Sequence, residues 1–158
     1  MTAVRRAAPA IRVVAADDAD AMAAVRAIRH EVFVVEQSVP AELEWDGKDG
    51  RAVHALAPGA GTGRLLLGAD AAAKNGGDPD LAVLGRLAVL RSARGTGLGA
   101  LLVRALEDEA AGLGLAGVYL EAQVHAIGFY RKLGYDAFGP GFQDAGIAHR
   151  AMRRTWRP

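Results

Sequence analysis

The stretch Arg94-Gly95-Thr96-Gly97-Leu98-Gly99 is the part of this sequence best suited to hold an anion. It follows an apolar run, Leu81 to Leu90, broken only by Gly85 and Arg86. It precedes a segment in which Leu98, Leu101, Leu102, Ala105, Leu106 and Leu113 recur at steps of three and four. The run predicts a strand and the recurrence a helix with one buried face. A helix start leaves backbone N–H groups unpaired and carries about half a positive charge, so it attracts phosphate. Glycine lets the backbone approach phosphate oxygens with no Cβ in the way. Arg91 and Arg94 add full charges for a polyanion. The competing reading is a tight strand-to-helix turn whose glycines only permit close packing.

Two phosphate-binding patterns can be tested directly. The P-loop of nucleoside triphosphatases needs a glycine followed by Lys-Ser or Lys-Thr, which this chain lacks. The dinucleotide fingerprint is matched in relaxed form by Gly95, Gly97 and Ala100, with Glu121 where a ribose hydroxyl would be held. That fingerprint belongs to a doubly wound parallel sheet. Fewer than 40 residues follow Glu121, with one short helix among them, too few for the remaining strand–helix–strand units.

Length and composition set the frame for these residues. One hundred and fifty-eight residues are one domain's worth of chain, enough to bury roughly 70% of the unfolded surface without a staple. The absence of cysteine excludes disulfides, cysteine-based zinc sites and a cysteine nucleophile together, and it suits a reducing compartment. No apolar run approaches the ~20 residues of a membrane span. Nineteen basic and eighteen acidic residues leave a net charge of +1, too balanced for bulk nucleic-acid affinity. Arg5-Arg6 before Ala-Ala-Pro-Ala echoes a signal peptide, but Arg12 and Asp17-Asp18 break the pattern. The expectation is a cytoplasmic protein with no membrane or nucleic-acid partner.

The elements that must position the anion loop follow from periodicity. Ile11 to Ala15 predicts a first strand, and Asp17 or Asp18 can cap a helix that buries Ala21, Met22, Val25, Ile28 and Arg29. Val32 to Val35 crowds β-branched residues at its end, and residues 41–51 predict a polar, acidic loop or broken helix. Strands are predicted at Ala52 to Leu56 and Leu65 to Asp70, around the turn at Pro58 to Gly61. Lys74 to Pro79 reads as a hairpin tip. After the central helix, Val118 to Leu120 predicts a strand and His125 to Leu133 a helix ended by Gly134. Tyr135 to Phe138 and Ile147 to Met152 supply two last strands. The sum is a mixed α/β domain, antiparallel at first, with a strand–helix–strand crossover in its second half.

Residues 82 to 100 resemble motif A of the GNAT superfamily of N-acetyltransferases, [Q/R]xxGxG/A after a strand, with Arg94, Gly97 and Gly99 at its positions. Arg91 stands where a proline is common. Ala126 to Tyr135 is similar to motif B, A-x-x-[FL]-Y-x-K-L-G-[FY], and Gln123 stands where many members carry Asn. Core packing is the competing reading of Phe129 and Tyr130, which two motifs in the right order make the weaker one. A narrower resemblance, to the ElaA-like and YjcF-like branch, rests on Phe33-Val34-Val35-Glu36-Gln37, Val39-Pro40, Glu44 with Asp46, His54, Leu120 to Gln123 and Asp144 to Met152.

The resemblance implies an α/β (mixed α+β) GNAT acyl-CoA N-acyltransferase fold over residues 1–158 as one domain. Its central sheet is mixed, mostly antiparallel and flanked by helices, with parallel strands splayed at the cofactor site. It implies an enzyme that moves an acetyl group from acetyl-CoA, as cosubstrate and without a metal, directly to a primary amine of a small molecule, or less readily of a peptide. A homodimer is implied by the superfamily alone. Leu87, Ala88 and Val89 would pair with the pantetheine arm as a sheet edge does with an added strand. Arg94, Gly95, Thr96, Gly97, Leu98 and Gly99 would hold the pyrophosphate, and Gln123 completes the expected cofactor set.

Tyr130 is the expected general acid at the departing sulfur. Full transfer from a hydroxyl of pKa near 10 to a thiol near 8.5 is uphill by roughly 2 kcal/mol, so a hydrogen bond that strengthens as charge develops is sufficient. The base candidates are Glu36, Glu44, Asp46, His54, Glu121 and His149, with Glu121 and His149 taken forward as catalytic. The acidic residues Glu42, Glu44, Asp46 and Asp49 are expected to draw a cationic amine or to form a solvated loop. Arg86, where some relatives place an acidic base, favours instead an anionic group on the acceptor. An NAD-type oxidoreductase and a non-catalytic acyl-CoA sensor are the alternatives.

Overall fold

A computed structural model of the protein describes residues 10–156, so the Arg5-Arg6 segment lies outside the described residues. Strand β1 spans Arg12–Ala15 and helix α1 spans Ala19–Arg29. Asp18 caps that helix, its Oδ1 accepting from the Ala21 N–H at 3.1 Å. Ala21, Met22, Val25, Ile28 and Arg29 form its buried face, as the spacing predicts. The β-branched run that follows does not leave the helix but widens it, in a π-helical segment over His30–Glu36. The acidic stretch breaks into a single turn, α2, Ala41–Glu44, and a 3₁₀ turn at Asp49–Arg51.

Strands β2 (Val53–Ala57) and β3 (Gly61–Leu66), helix α3 (Gly68–Asn75) and strand β4 (Leu81–Val89) come next. Helix α4 (Leu98–Gly112), strand β5 (Gly117–Gln123), helix α5 (Ile127–Lys132) and strands β6 (Asp136–Asp144) and β7 (Ile147–Thr155) complete the order. The sheet runs β1-β2-β3-β4-β5-β7-β6. Among the described residues β4 and β5 make its one parallel pairing, and the other pairings are antiparallel. This mixed sheet is not the doubly wound parallel sheet that the dinucleotide fingerprint needs.

Side chains alternate across the strands, so neighbours in sequence serve opposite layers. Leu65, Leu84 and Leu120 join Leu98, Leu102 and Leu106 of α4 and Tyr130 of α5 on one face. Leu66, Val83 and Tyr119 join Ala71 of α3 on the other, where α1 also packs through Met22, Val25 and Ile28. Two leucines of the predicted helix stripe fall outside the core: Leu101 and Leu113 are 44% and 55% exposed.

Two sequence expectations fail between residues 58 and 79. The strand placed at Leu65 to Asp70 begins earlier, at Gly61, and ends at Leu66. The segment read as a hairpin tip is instead the end of α3, stopped by Gly76 in the left-handed conformation, φ +80°. The glycines of β3 mislead because packing, not turning, requires them. A Cβ at Gly61 would come within 2.9 Å of Leu102 Cδ1, and one at Gly63 within 3.0 Å of Leu106 Cδ1.

Strand β4 carries the irregularity that matters for function. Gly85 lies opposite Arg64 and Ala88 opposite Thr62, so Arg86 and Leu87 together face Gly63. This is a β-bulge, and it holds Arg86 at φ +48°. The parallel pairing with β5 stops at Leu84 and Leu120, although β4 continues to Val89 and β5 to Gln123. The two strands separate, and a cleft enters the sheet between them.

Candidate active site

The cleft has a volume of about 920 Å³, at the upper end for small-molecule sites. One arm is walled by the glycine-rich turn, with Arg94, Gly95, Gly97, Leu98 and Gly99 on it. Gly95 (φ +76°) and Gly97 (φ +83°) both need the left-handed conformation that glycine adopts at least cost. Helix α4 has no side-chain cap and no acidic residue in its first turn, so its initial N–H groups are left for a ligand. Leu87 and Val89 also line the cleft, whereas the Ala88 side chain packs beneath α1. The Thr96 hydroxyl donates to the Ala93 carbonyl at 2.6 Å, which ties up the turn instead of facing the cleft.

Arg94 already holds an anion. Its two terminal nitrogens each lie 2.7 Å from a Glu36 carboxylate oxygen, and its Nε donates to the Val89 carbonyl at 3.0 Å. Hydrogen bonds from Arg94 keep Glu36 below the ordinary carboxyl range, which removes Glu36 from the list of proton acceptors. Arg91 stands further out, 3.8 Å from Glu36, with its side chain mostly in solvent.

The acidic stretch serves the protein's own cations. Arg29 Nε donates to Glu44 at 2.6 Å and its Nη1 to Asp49 at 2.7 Å. Arg64 reaches both oxygens of Asp46 at 2.8 Å and Asp49 at 3.0 Å. Arg86 Nε sits 3.0 Å from Glu44, an ion contact too bent for a hydrogen bond, while its Nη2 reaches Asp46 at 3.4 Å. Burial alone would raise the two aspartates. The guanidinium of Arg64 nevertheless holds Asp46 far below its usual range, and Arg29 and Arg64 hold Asp49 down. Three arginines and three carboxylates cancel here, so Glu44, Asp46 and Asp49 are no lure for a cationic amine, and Glu42 is exposed outside the cleft lining. Arg86 is likewise occupied.

His54 is also removed as a base. It is fully buried on β2, outside the cleft lining, with Nε2 3.1 Å from the Asp49 carbonyl, and burial lowers its pKa.

Glu121 and His149 do face the cleft. The Tyr119 hydroxyl donates to Glu121 Oε2 at 3.1 Å, and Lys74 Nζ lies 3.5 Å from Oε1. Burial, with Glu121 beside it, pushes the Tyr119 phenol up to about 12, so it stays a donor. His149 Nδ1 lies 2.7 Å from the Ile147 carbonyl. That contact assigns the proton to Nδ1 and leaves Nε2 as the basic nitrogen. Gln123, paired with His149 across β5 and β7, exchanges hydrogen bonds with Gln37 at 2.9 and 3.4 Å. His125 Nε2 meets the same Gln123 oxygen at 2.7 Å.

Tyr130 lines the cleft from α5, wedged edge-on against Phe129 and Tyr135 at 5.0 and 5.8 Å. Burial alone raises its pKa well above the ordinary value, with no hydrogen bond contributing. Gly99 allows this arrangement, since a Cβ there would press on Phe129 Cζ at 3.3 Å. Two cleft features escape the sequence reading: Lys74, placed by the unforeseen α3, and the space over Gly85, where a Cβ would meet nothing within 4 Å.

Comparison with known proteins agrees with this geometry. A family model described as an acetyltransferase (GNAT) domain matches residues 23–156. The uncharacterized N-acetyltransferase YjcF of Bacillus subtilis (strain 168) is 38% identical over 134 residues, covering 80% of this chain and 87% of its own. An acyl-CoA N-acyltransferase from Pseudomonas aeruginosa superposes with a TM-score of 0.78 at 31% identity, over 92% of this chain and 99% of that one. Escherichia coli ElaA gives a TM-score of 0.78 at 26% identity, over 92% and 98%.

Proposed function

We propose that this chain, which belongs to the GNAT acetyltransferase family in its ElaA-like and YjcF-like branch, moves an acetyl group from acetyl-CoA directly to the primary amine of a small molecule. The observation that carries the reading is the separation of β4 from β5 beyond Leu84 and Leu120, which leaves Arg86 to Val89 with an edge unpaired toward β5. An unpaired edge can take the amide groups of a pantetheine arm. The uncapped start of α4, Gly95 to Gly99 and Arg94 suit a pyrophosphate.

The thioester supplies an activated carbonyl and a good leaving group; the chain's residues do the rest. Tyr130 keeps its proton because it is buried, and it offers a hydrogen bond where negative charge gathers on sulfur. Glu121, steadied by Tyr119, accepts a proton from the incoming ammonium, with His149 Nε2 as the second acceptor. An amine of pKa near 10.4 otherwise adds about 4 to 5 kcal/mol to the barrier at neutral pH. The transfer forms a C–N bond and breaks the C–S bond. Of the two protons the ammonium loses, one ends on the thiol and one in solvent.

A melting-temperature series tests the reading. Acetyl-CoA at about 100 times its Kd should add about 2.7 kcal/mol, a rise of roughly 5 to 10 °C for a chain of this size. NADH should give none. A rise with NADH alone overturns the proposal, and a rise with acetyl-CoA without thiol release in any amine's presence identifies a sensor.

Glu36 competes with the pyrophosphate for Arg94. Glu36→Gln should therefore tighten acetyl-CoA by about twofold to fivefold, the range for an exposed pair, measured by titration calorimetry at one salt concentration. Weaker binding would mean that Glu36 orients Arg94 and does not compete with the ligand.

A further inference from the structure

We infer that the acceptor is a zwitterion, an amine bearing a carboxylate or similar anionic group, held by the Lys74–Glu121 pair. The inference rests on the acyl-transfer reading and deepens it. Lys74 comes from α3 and Glu121 from β5, and both line the cleft with side chains only 28% and 24% exposed. Their 3.5 Å separation is that of an ion contact and not of a hydrogen bond. Each therefore retains capacity for a partner: Lys74 has its ammonium donors, and Glu121 Oε1 has lone pairs that Tyr119, bound to Oε2, does not use.

Most of the charges around this pair are matched elsewhere. Arg64 and Arg86 pair with Glu44 and Asp46, although the Nε of each of these arginines has no hydrogen-bond partner, and Arg94 pairs with Glu36 on the other arm; Lys48 and Asp144 are further charges on the cleft lining. Beside the pair the floor is open, because Gly85 carries no side chain and nothing stands within 4 Å of where one would begin. Leu66 and Val83 line the cleft near that point, paired across β3 and β4 two residues from the Arg64–Gly85 pair. An ammonium on Glu121 and an anionic group on Lys74 would turn one loose pair into an alternating set of four charges. A simple amine would occupy Glu121 and leave Lys74 facing a second cation. The site thus discriminates by repulsion as well as attraction.

The test compares each common amino acid with its primary amide and its decarboxylated amine, by thiol release from acetyl-CoA. The best amino acid should exceed its decarboxylated counterpart in kcat/KM by about tenfold or more. Lys74→Met should shrink that margin to about twofold, and Lys74→Arg should keep it. Equal use of acid and amine, or an equal loss on both in Lys74→Met, overturns the inference while acyl transfer stands. So does an acetyl-CoA melting shift with neither turnover nor binding of any amino acid. No shift with acetyl-CoA and no thiol release would instead remove the acyl-transfer reading beneath it.

Discussion

Tyr130→Phe is expected to lower kcat by about 10²- to 10³-fold, the effect of removing one donor aimed at developing charge. The Kd for acetyl-CoA should stay within about twofold. Melting temperature should hardly move, because the Tyr130 ring supplies the packing against Phe129 and Tyr135 and only an unpartnered hydroxyl is lost. This combination separates a donor to sulfur from a core tyrosine. A folded variant with unchanged kcat would take Tyr130 out of the mechanism. So would a loss confined to acetyl-CoA affinity.

Arg29→Met should cost about 3 to 5 kcal/mol, since it leaves Glu44 and Asp49 short of a partner inside the protein. At about 2 to 4 °C per kcal/mol, melting should fall by roughly 6 to 20 °C. The sign of its pH dependence follows from Asp49. Asp49, which Arg29 holds at 2.7 Å, has a folded pKa below its unfolded one, so its contribution is full above about pH 4 and is lost as pH falls through the folded value. In Arg29→Met, Asp49 loses one of the two guanidinium partners that hold it ionised and takes a proton more readily as the solution is acidified. The deficit against wild type should therefore be largest near neutrality and shrink toward pH 4, as denaturant titrations at several pH values would record. A deficit independent of pH would make Arg29 a packing residue, its place over Trp45 included.

The glycine-rich arm of the cleft is legible in the sequence because its backbone requirements are local. Gly95, Gly97 and the apolar steps of α4 lie within one strand–helix turn, where spacing and backbone freedom speak directly. The helix that brings Tyr130 to the cleft is legible through its neighbours in motif B. The acidic stretch is not, because residues 44–49 are matched by Arg29, Arg64 and Arg86 from three distant elements. Only folding shows that six charges cancel. The same holds for β3, where Gly61, which serves α4, looks like the end of a turn. Once that strand is misplaced, the Ala69 to Lys74 run loses its reading as a helix, and Lys74 cannot be placed in a cleft. The helical signal was present in four alanines before a Gly76 stop.

The excursion between β3 and β4 closes on itself. Asn75 Nδ2 donates to the carbonyls of Asp78 and Leu81 at 3.0 and 2.9 Å, its Oδ1 accepts from the Asp78 N–H at 2.9 Å, and Gly76 returns to Ala72. α3 lends the interior little beyond Ala71. Residues 75–81 therefore form a turn tied by its own hydrogen bonds, at the far end of a short helix that carries Lys74. Substitutions confined to α3 can move Lys74 while the unpaired edge of β4 and the start of α4 keep their own sequences. The two arms of the cleft can thus drift in sequence independently, because separate elements supply them.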